Sequence, residues 1–419
     1  MTDESIRDQV RHARSKFFAM AGCYGLGVFN DSFFRQSAML LAVSAGMNAT
    51  QNWIMALFML PYVLFSWASG WLADRFAKRY VVIGAKLLEV VAMTFGAIGI
   101  ITLDWSFIMT MVFLMAWQSC IFSPALNGSI PELYPDAYVI RANARLKVVT
   151  TAAILGGISI AGVILDVMGT APGGVPMGRM LVGVSVLVIA VLGVVVSFGV
   201  PKRPAADPQA RFPRDGLLET FRNVRVIWRD RLLRLVVMAD VFVWFVGTLL
   251  TQVINVLAIQ QFGRSKTLAS AMLAVWVVGV AAGGIVGSRI AVGRRWYRGI
   301  PMGLVGMGAL FVLMACVPLL PREAELPVVF VLLGLIALLG GMVLIPCEGF
   351  VQTRPAADRK GAVIAAVNFC AFSGMLVSCG LAWVLDQWLL PTTSFAAAGV
   401  LALPMGLWMK RALAKEETR

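Results

Sequence analysis

Apolar stretches of about twenty residues recur along the whole chain, separated by short polar breaks that carry Pro, Gly and charge. Twelve of them are long enough to cross a hydrocarbon core at 1.5 Å per helical residue. They cover residues 17–44, 53–73, 80–102, 106–128, 146–166, 180–200, 235–262, 268–288, 299–320, 327–352, 361–386 and 392–409. In lipid every backbone N–H and C=O must be paired within the segment, so the runs predict helices. The expected fold class is therefore an all-α membrane protein with twelve transmembrane helices. One long polar break, 201–234, divides the spans six and six. Its first part, PKRPAADPQARFPRD, reads as a Pro-rich linker. Within 216–231, Leu217, Leu218, Phe221, Val224 and Trp228 recur at helical spacing, and Arg222, Arg225 and Arg229 take the other face. That pattern predicts an amphipathic helix lying on the membrane. The expected domains are a six-helix bundle over 1–200, a linker with a surface helix over 201–234, and a second bundle over 235–419.

Composition agrees with a lipid-solvated chain. Apolar residues make up 59% and charged residues 14%, too little polar surface for a chain of 419 residues to cover itself in water. The net charge of +14 does not point to nucleic acid, because the positions of the charges follow topology. Thirty of the 36 Lys and Arg fall on the side that carries both termini, which the positive-inside rule places in the cytoplasm. The opening residues 1–16 are polar and basic and lack the apolar core of a signal peptide. Six cysteines are scattered without metal or redox spacing, and the single histidine, His12, precedes the first span. No Walker loop, nucleophile elbow or zinc motif is present, so no cofactor, metal or enzymatic activity is expected. Movement of a substrate would then be driven by a gradient or be facilitated.

The two halves are faintly alike. SPALNGSIPELYPDAYVIRAN (123–143) and IPCEGFVQTRPAADRKGAVIAAVN (345–368) both start at a Pro within a span and end on an Asn entering the next, 222 to 225 residues apart. GWLADRFAKR (70–79) and GSRIAVGRRW (287–296) both leave the second span of their half. Two pseudo-symmetric six-helix halves are a common plan in secondary transporters, with substrate between them.

Charge within spans marks candidate sites, because each such residue costs about 2.5–3.5 kcal/mol at a helix centre. The first span carries Asn30, Asp31, Arg35 and Gln36. Asp31 and Arg35 are four apart and can pair on one face. The third carries Lys86 and Glu89, three apart. Thr248, Thr251, Gln252 and Asn255 share a face of the seventh, with Asp240 nearer its end. The tenth carries Glu348 and Gln352, and the eleventh Asn368. The candidate substrate-binding set is Asn30, Asp31, Arg35, Lys86, Glu89, Gln252, Asn255, Glu348, Gln352 and Asn368.

GWLADRFAKR resembles the loop signature of the major facilitator superfamily, matching at Gly70, Leu72, Ala73, Asp74, Arg75, Lys78 and Arg79, with Ala77 where that family prefers Gly. The motif assigns gating to Gly70, Asp74, Arg75, Lys78 and Arg79. Gly70 would let two helices approach, and Asp74 would latch one state against a helix N-terminus. More narrowly, the run Phe29, Asn30, Asp31, Ser32, Phe33, Phe34, Arg35, then LPYVLFSWASGWLADRFAKR, AKLLEVVAM, SPALNGSIPEL with RANA, and GAVIAAVNF are similar to the bacterial lysophospholipid transporters. The same module occurs fused to acyltransferase and acyl-acyl-carrier-protein synthetase domains.

This resemblance implies flipping of lysophospholipids, chiefly lysophosphatidylethanolamine, across the bacterial inner membrane by alternating access. It also implies a separate acyltransferase as partner and a monomeric chain. Asn30, Asp31 and Arg35 match that family's polar cluster, Lys86 and Glu89 its third-helix pair, and Asn143 and Asn368 its later asparagines. Leu126 and Asn127 stand where a Lys-Tyr pair is usual, Ser32 where Asn is usual and Lys147 where Glu is usual. Arg35 and Lys86 are expected to hold a phosphate, and Asp31 an amine or a coupling cation. A facilitator exporting drugs, siderophores or other small amphipathic molecules has the same fold and the same loop motif and is the competing expectation.

Overall fold

The structure is a computed structural model that describes residues 3–127, 129–134, 136–213, 215–290, 296–355 and 359–417. Side chains at 3–12, 127, 131–132, 136–137, 140, 360 and 416–417 also lie outside the described set, His12 and Asn127 among them. So does 291–295, most of the second-half counterpart of the 70–79 loop.

Among the described residues the long elements are all helices: α1 Asp3–Ser44, α2 Asn48–Arg75, α3 Lys78–Thr102, α4 Trp105–Asn127, α5 Ile130–Leu133, α6 Asp136–Leu165, α7 Met177–Ser197, α8 Gly216–Arg229, α9 Arg231–Val256, α10 Lys266–Ile290, α11 Gly299–Ala315, α12 Arg322–Thr353, α13 Lys360–Trp388 and α14 Pro391–Glu417. Among the described residues, eleven helices are long and apolar enough to cross a membrane. These are α2, α3, α4, α6, α7 and α9–α14. The remaining long helix, α1, has 42 residues but carries Asn30, Asp31, Arg35 and Gln36 in its interior. Several helices outrun their apolar runs. The fifth predicted span begins near 146, whereas α6 starts at Asp136, and the tenth begins near 327, whereas α12 starts at Arg322. Extra polar turns cost little where water can solvate their side chains, and hydropathy does not register them.

Local chemistry sets the ends. Asp104 Oδ1 accepts from the Ser106 N–H at 2.8 Å and starts α4. Asp230 caps α9 by accepting from the Leu233 N–H at 3.1 Å and also meets Arg354 Nε at 2.9 Å. The end of α9 runs on as a π-helical turn, Leu257–Gln261.

Two compact units are formed. One comprises Met1–Met39 and Leu57–Gly216, the other Leu40–Ala56 and Leu217–Arg419. In the first, α3 packs on α4 and α7, and a core cluster includes Phe17, Met20, Phe122, Leu126 and Tyr134. The linker is pinned within this unit. Asp207 donates its N–H to the Asp74 carbonyl at 3.0 Å, Trp71 Nε1 donates to the Ala210 carbonyl at 3.1 Å, and the Phe212 ring packs edge-on against Trp67 and Trp71. In the second unit, α10 packs on α12, α11 on α14, and α13 on α9. The α10–α12 approach is close enough that a Cβ at Gly287 would lie 2.8 Å from the Met342 backbone. On α8, Leu217, Leu218, Phe221 and Trp228 are exposed while Ile227 is buried. Phe221 also touches the Phe369 ring of α13.

Candidate functional site

In the first unit, α1, α3 and α4 bring their polar residues together. Lys86 and Glu89 are wholly buried and paired, Nζ to Oε2 at 2.5 Å. The i, i+3 spacing places both on one face of α3, and glycines make the room. A Cβ at Gly27 would lie 2.7 Å from Lys86 Nζ, and one at Gly193 would lie 3.4 Å from its Cδ. The ammonium also faces the Phe122 ring, 4.8 Å from its centroid. Glu89 accepts two further bonds, from Asn30 Nδ2 at 3.3 Å and Gln118 Nε2 at 3.0 Å. Asn30 donates as well to the Val186 carbonyl of α7 at 3.1 Å. Burying an ion pair is tolerable only where its remaining lone pairs are satisfied in this way.

The network continues to Asp31. The Ser119 hydroxyl lies 2.5 Å from Asp31 Oδ2 and 2.9 Å from Gln118 Oε1, one proton between two acceptors. Asp31 is 7% exposed, and its Oδ1 has no partner, nor has Asn30 Oδ1. Two buried acceptors on adjacent residues are therefore left for a donor that the described protein groups do not supply. Arg35 is not on Asp31, although the i, i+4 spacing allows it. Its guanidinium lies 4.2 Å from the Phe58 ring centroid, and no ion pair joins the two among the described residues. The aromatic face supports the cation, and the Asp31 carboxylate acts on it across space without an ion pair.

The remaining candidates are spread out. Gln252 and Asn255 are buried on α9 in the second unit. Glu348 is half-buried on α12, and Gln352 and Asn368 are exposed. Asn368 precedes Asp386 by 18 residues on α13, about 27 Å along the axis, so it stands far from the polar end of that helix. Of the gating set, Asp74 is exposed, Arg75 and Arg79 are half-buried, and Lys78 is buried. A Cβ at Gly70 would meet nothing within 4 Å, so the close helix approach expected there is not made. Leu126 is buried apolar core, while Asn143 and Lys147 are exposed.

Sequence reasoning did not single out Gln118, Ser119 or Phe58. The signal for the first two was present, a Gln-Ser pair inside an otherwise apolar span. Nothing in the chain's pattern marks Phe58 among 24 phenylalanines.

The arrangement is that of a membrane carrier: no hydrolytic or redox constellation among the described residues, but a desolvated charged cluster on packed helices. Residues 17–378 match the model of the Major Facilitator Superfamily, and the chain belongs to that family. Its members are secondary transporters, which sets this protein apart from enzymes.

Among curated proteins it is 28% identical over 399 residues to the lysophospholipid transporter LplT of Enterobacter sp. (strain 638), covering 90% of this chain and 92% of that protein. LplT of Escherichia coli (strain SE11) is 27% identical, covering 84% and 85%. Among solved structures it is similar to a bacterial homologue of the human lysosomal transporter Spinster in an inward-facing, unoccupied conformation. That match has a TM-score of 0.70 at 14% identity and covers 96% of this chain and 98% of that one. A POT family transporter in complex with a thioalcohol conjugated peptide gives 0.68 at 14%, covering 97% and 96%. At such identity these two structures speak to the fold alone.

Proposed function

We propose that this protein flips lysophospholipids, with lysophosphatidylethanolamine as the type substrate, across the bacterial inner membrane by alternating access of two halves, 1–200 and 235–419. The observation that carries the reading is the buried cluster of the first unit. Its Arg35 makes no direct ion pair among the described residues, with Asp31 acting on it only across space, and Asp31 and Asn30 offer unmet acceptors. A zwitterionic head group has the complementary pieces. The phosphate goes to Arg35, and the ammonium to Asp31 and Asn30. Lys86 is neutralised by its ion pair with Glu89, so its role in this reading is to hold the cluster's shape and keep Glu89 compensated, leaving the phosphate to Arg35. The acyl chain stays in apolar surroundings, since exposing it costs about 0.8 kcal/mol per CH₂. Similarity to lysophospholipid transporters along most of the chain supports the substrate class. The basic-residue distribution supports cytoplasmic termini. A monomer delivering lysolipid to a separate acyltransferase, with residues 70–79 gating, completes the reading.

The test is flipping of a labelled lysophosphatidylethanolamine in liposomes, with diacyl lipid as control. Wild type should move the lysolipid and leave the diacyl lipid. Arg35→Ala should cut the initial rate by about 10- to 100-fold, the worth of a charge-assisted hydrogen bond in a desolvated site. Asp31→Asn should cut it comparably. Folded wild type that moves no lysolipid would overturn the reading and leave export of a small amphipathic molecule as the function.

A further inference from the structure

The three sides of α8 differ in chemistry. Ile227 is buried, and Thr220 and Asn223, which share its side of the helix, are half-buried, so this side turns toward the protein. About a third of a turn further round stand Leu217, Phe221 and Trp228. All three are exposed, as is Leu218 beside them. Another third of a turn on come Arg222, Arg225 and Arg229, which are exposed and make no ion pair among the described residues. The helix's one carboxylate, Glu219, lies beyond Arg222, next to the protein-facing side. A surface helix in water turns its apolar stripe inward. Here the stripe points out, and a row of cations runs along its edge.

The chain holds this helix at the bilayer. α9, one of the helices long and apolar enough to cross a membrane, begins at Arg231, two residues after α8 ends at Arg229. Two residues reach about 8 Å at most, so α8 is tied to the mouth of a spanning helix. It does not project away from it. The Phe221 ring lies 5.5 Å from that of Phe369, within the apolar span of α13. Trp228 is flanked by Arg234, whose guanidinium lies 5.6 Å from the ring centroid and whose Nη1 donates to the Trp228 carbonyl at 3.4 Å. Such an indole with a neighbouring cation suits the head-group layer.

We propose that α8 is a docking surface for anionic phospholipid in the leaflet at the start of α9. The apolar stripe of Leu217, Phe221 and Trp228 seats among acyl chains, and Arg222, Arg225 and Arg229 meet the lipid phosphates. Charge selects this occupant. A zwitterionic surface would cover the apolar stripe but leave three arginines without net counter-charge, whereas an anionic one satisfies both stripes together.

The experiment places an environment-sensitive label on Leu218→Cys in the full chain, with Cys316→Ser and Cys370→Ser removing the cysteines that are not buried. Quenching by acrylamide is read in nanodiscs of phosphatidylcholine alone and of phosphatidylcholine mixed with phosphatidylglycerol. The ratio of shielded to accessible label should rise by on the order of 100-fold with phosphatidylglycerol, about fivefold for each of three arginines. Replacing all three by Gln should abolish the difference. Salt near 1 M, which screens charge beyond about 3 Å, should weaken it with the arginines in place and needs no further variant. Equal quenching in the two membranes would overturn the proposal, as would a difference that survives both the Gln substitutions and salt. Label already shielded in detergent, before any phospholipid is added, would overturn it too, because protein would then cover this face.

Discussion

Lys86→Met should lower the midpoint of thermal unfolding by on the order of 10 °C, and adding Glu89→Gln should restore most of the loss. Methionine keeps nearly the volume of lysine, so the packing left by Gly27 and Gly193 stays filled. What disappears is the charge that neutralises Glu89. That carboxylate is wholly buried, and its other partners, Asn30 and Gln118, are neutral donors. Removing one member of a buried pair costs about 3–5 kcal/mol, because the survivor remains desolvated and uncompensated. Neutralising the survivor removes the larger penalty; the single oxygen introduced by Glu89→Gln can accept from Asn30 or from Gln118, but not from both in their present orientations. Unfolding followed by tryptophan fluorescence in detergent reads the effect. A single variant as stable as wild type would mean that Lys86 is not what makes a charged Glu89 tolerable there. A double variant no better than the single one would place the loss in packing instead.

Gly157→Ala should destabilise the first unit by about 1–3 kcal/mol and sharply reduce transport, whereas Gly156→Ala should do little. The two neighbours differ in what an added methyl would meet. At Gly157 it would lie 2.6 Å from the Phe29 carbonyl, 2.9 Å from the Phe33 amide nitrogen and 3.0 Å from Ser32 Cβ. Those atoms are the backbone and Cβ of α1 and have no rotamer to retreat into. At Gly156 the methyl would meet the edge of the Phe29 ring at 3.3 Å, which can turn aside. The strained contact brackets Asn30 and Asp31, so α1 would shift where the polar cluster is built. Thermal midpoint and lysolipid flipping measured on both variants check the claim. Equal behaviour of the two would show that α6 can withdraw without cost.

Much of this molecule follows from the chain alone. A bilayer leaves an apolar run no alternative to a helix, because every backbone group must be paired locally. Number, order and approximate limits of the long helices are therefore legible in hydropathy. The Lys86–Glu89 pair is legible too, since three residues on a helix bring two side chains to the same face whatever surrounds them. The same local rule overreached at Asp31 and Arg35. Four residues allow that pair, but Ser119 and Phe58, brought in by α4 and α2, offered each partner a different contact.

What only the tertiary structure decided is which distant elements meet. Gln118 and Ser119 join the cluster because α3 packs on α4. Gln51 meets Gln252 and Asn255, some 200 residues away, because the α1–α2 turn docks in the second unit. Hydrophobic patterning reports the solvent each residue prefers, lipid or water, and carries no record of which helix lies beside which. That choice rests on side-chain volume and on which buried donors and acceptors find one another, and both become defined only when the helices pack.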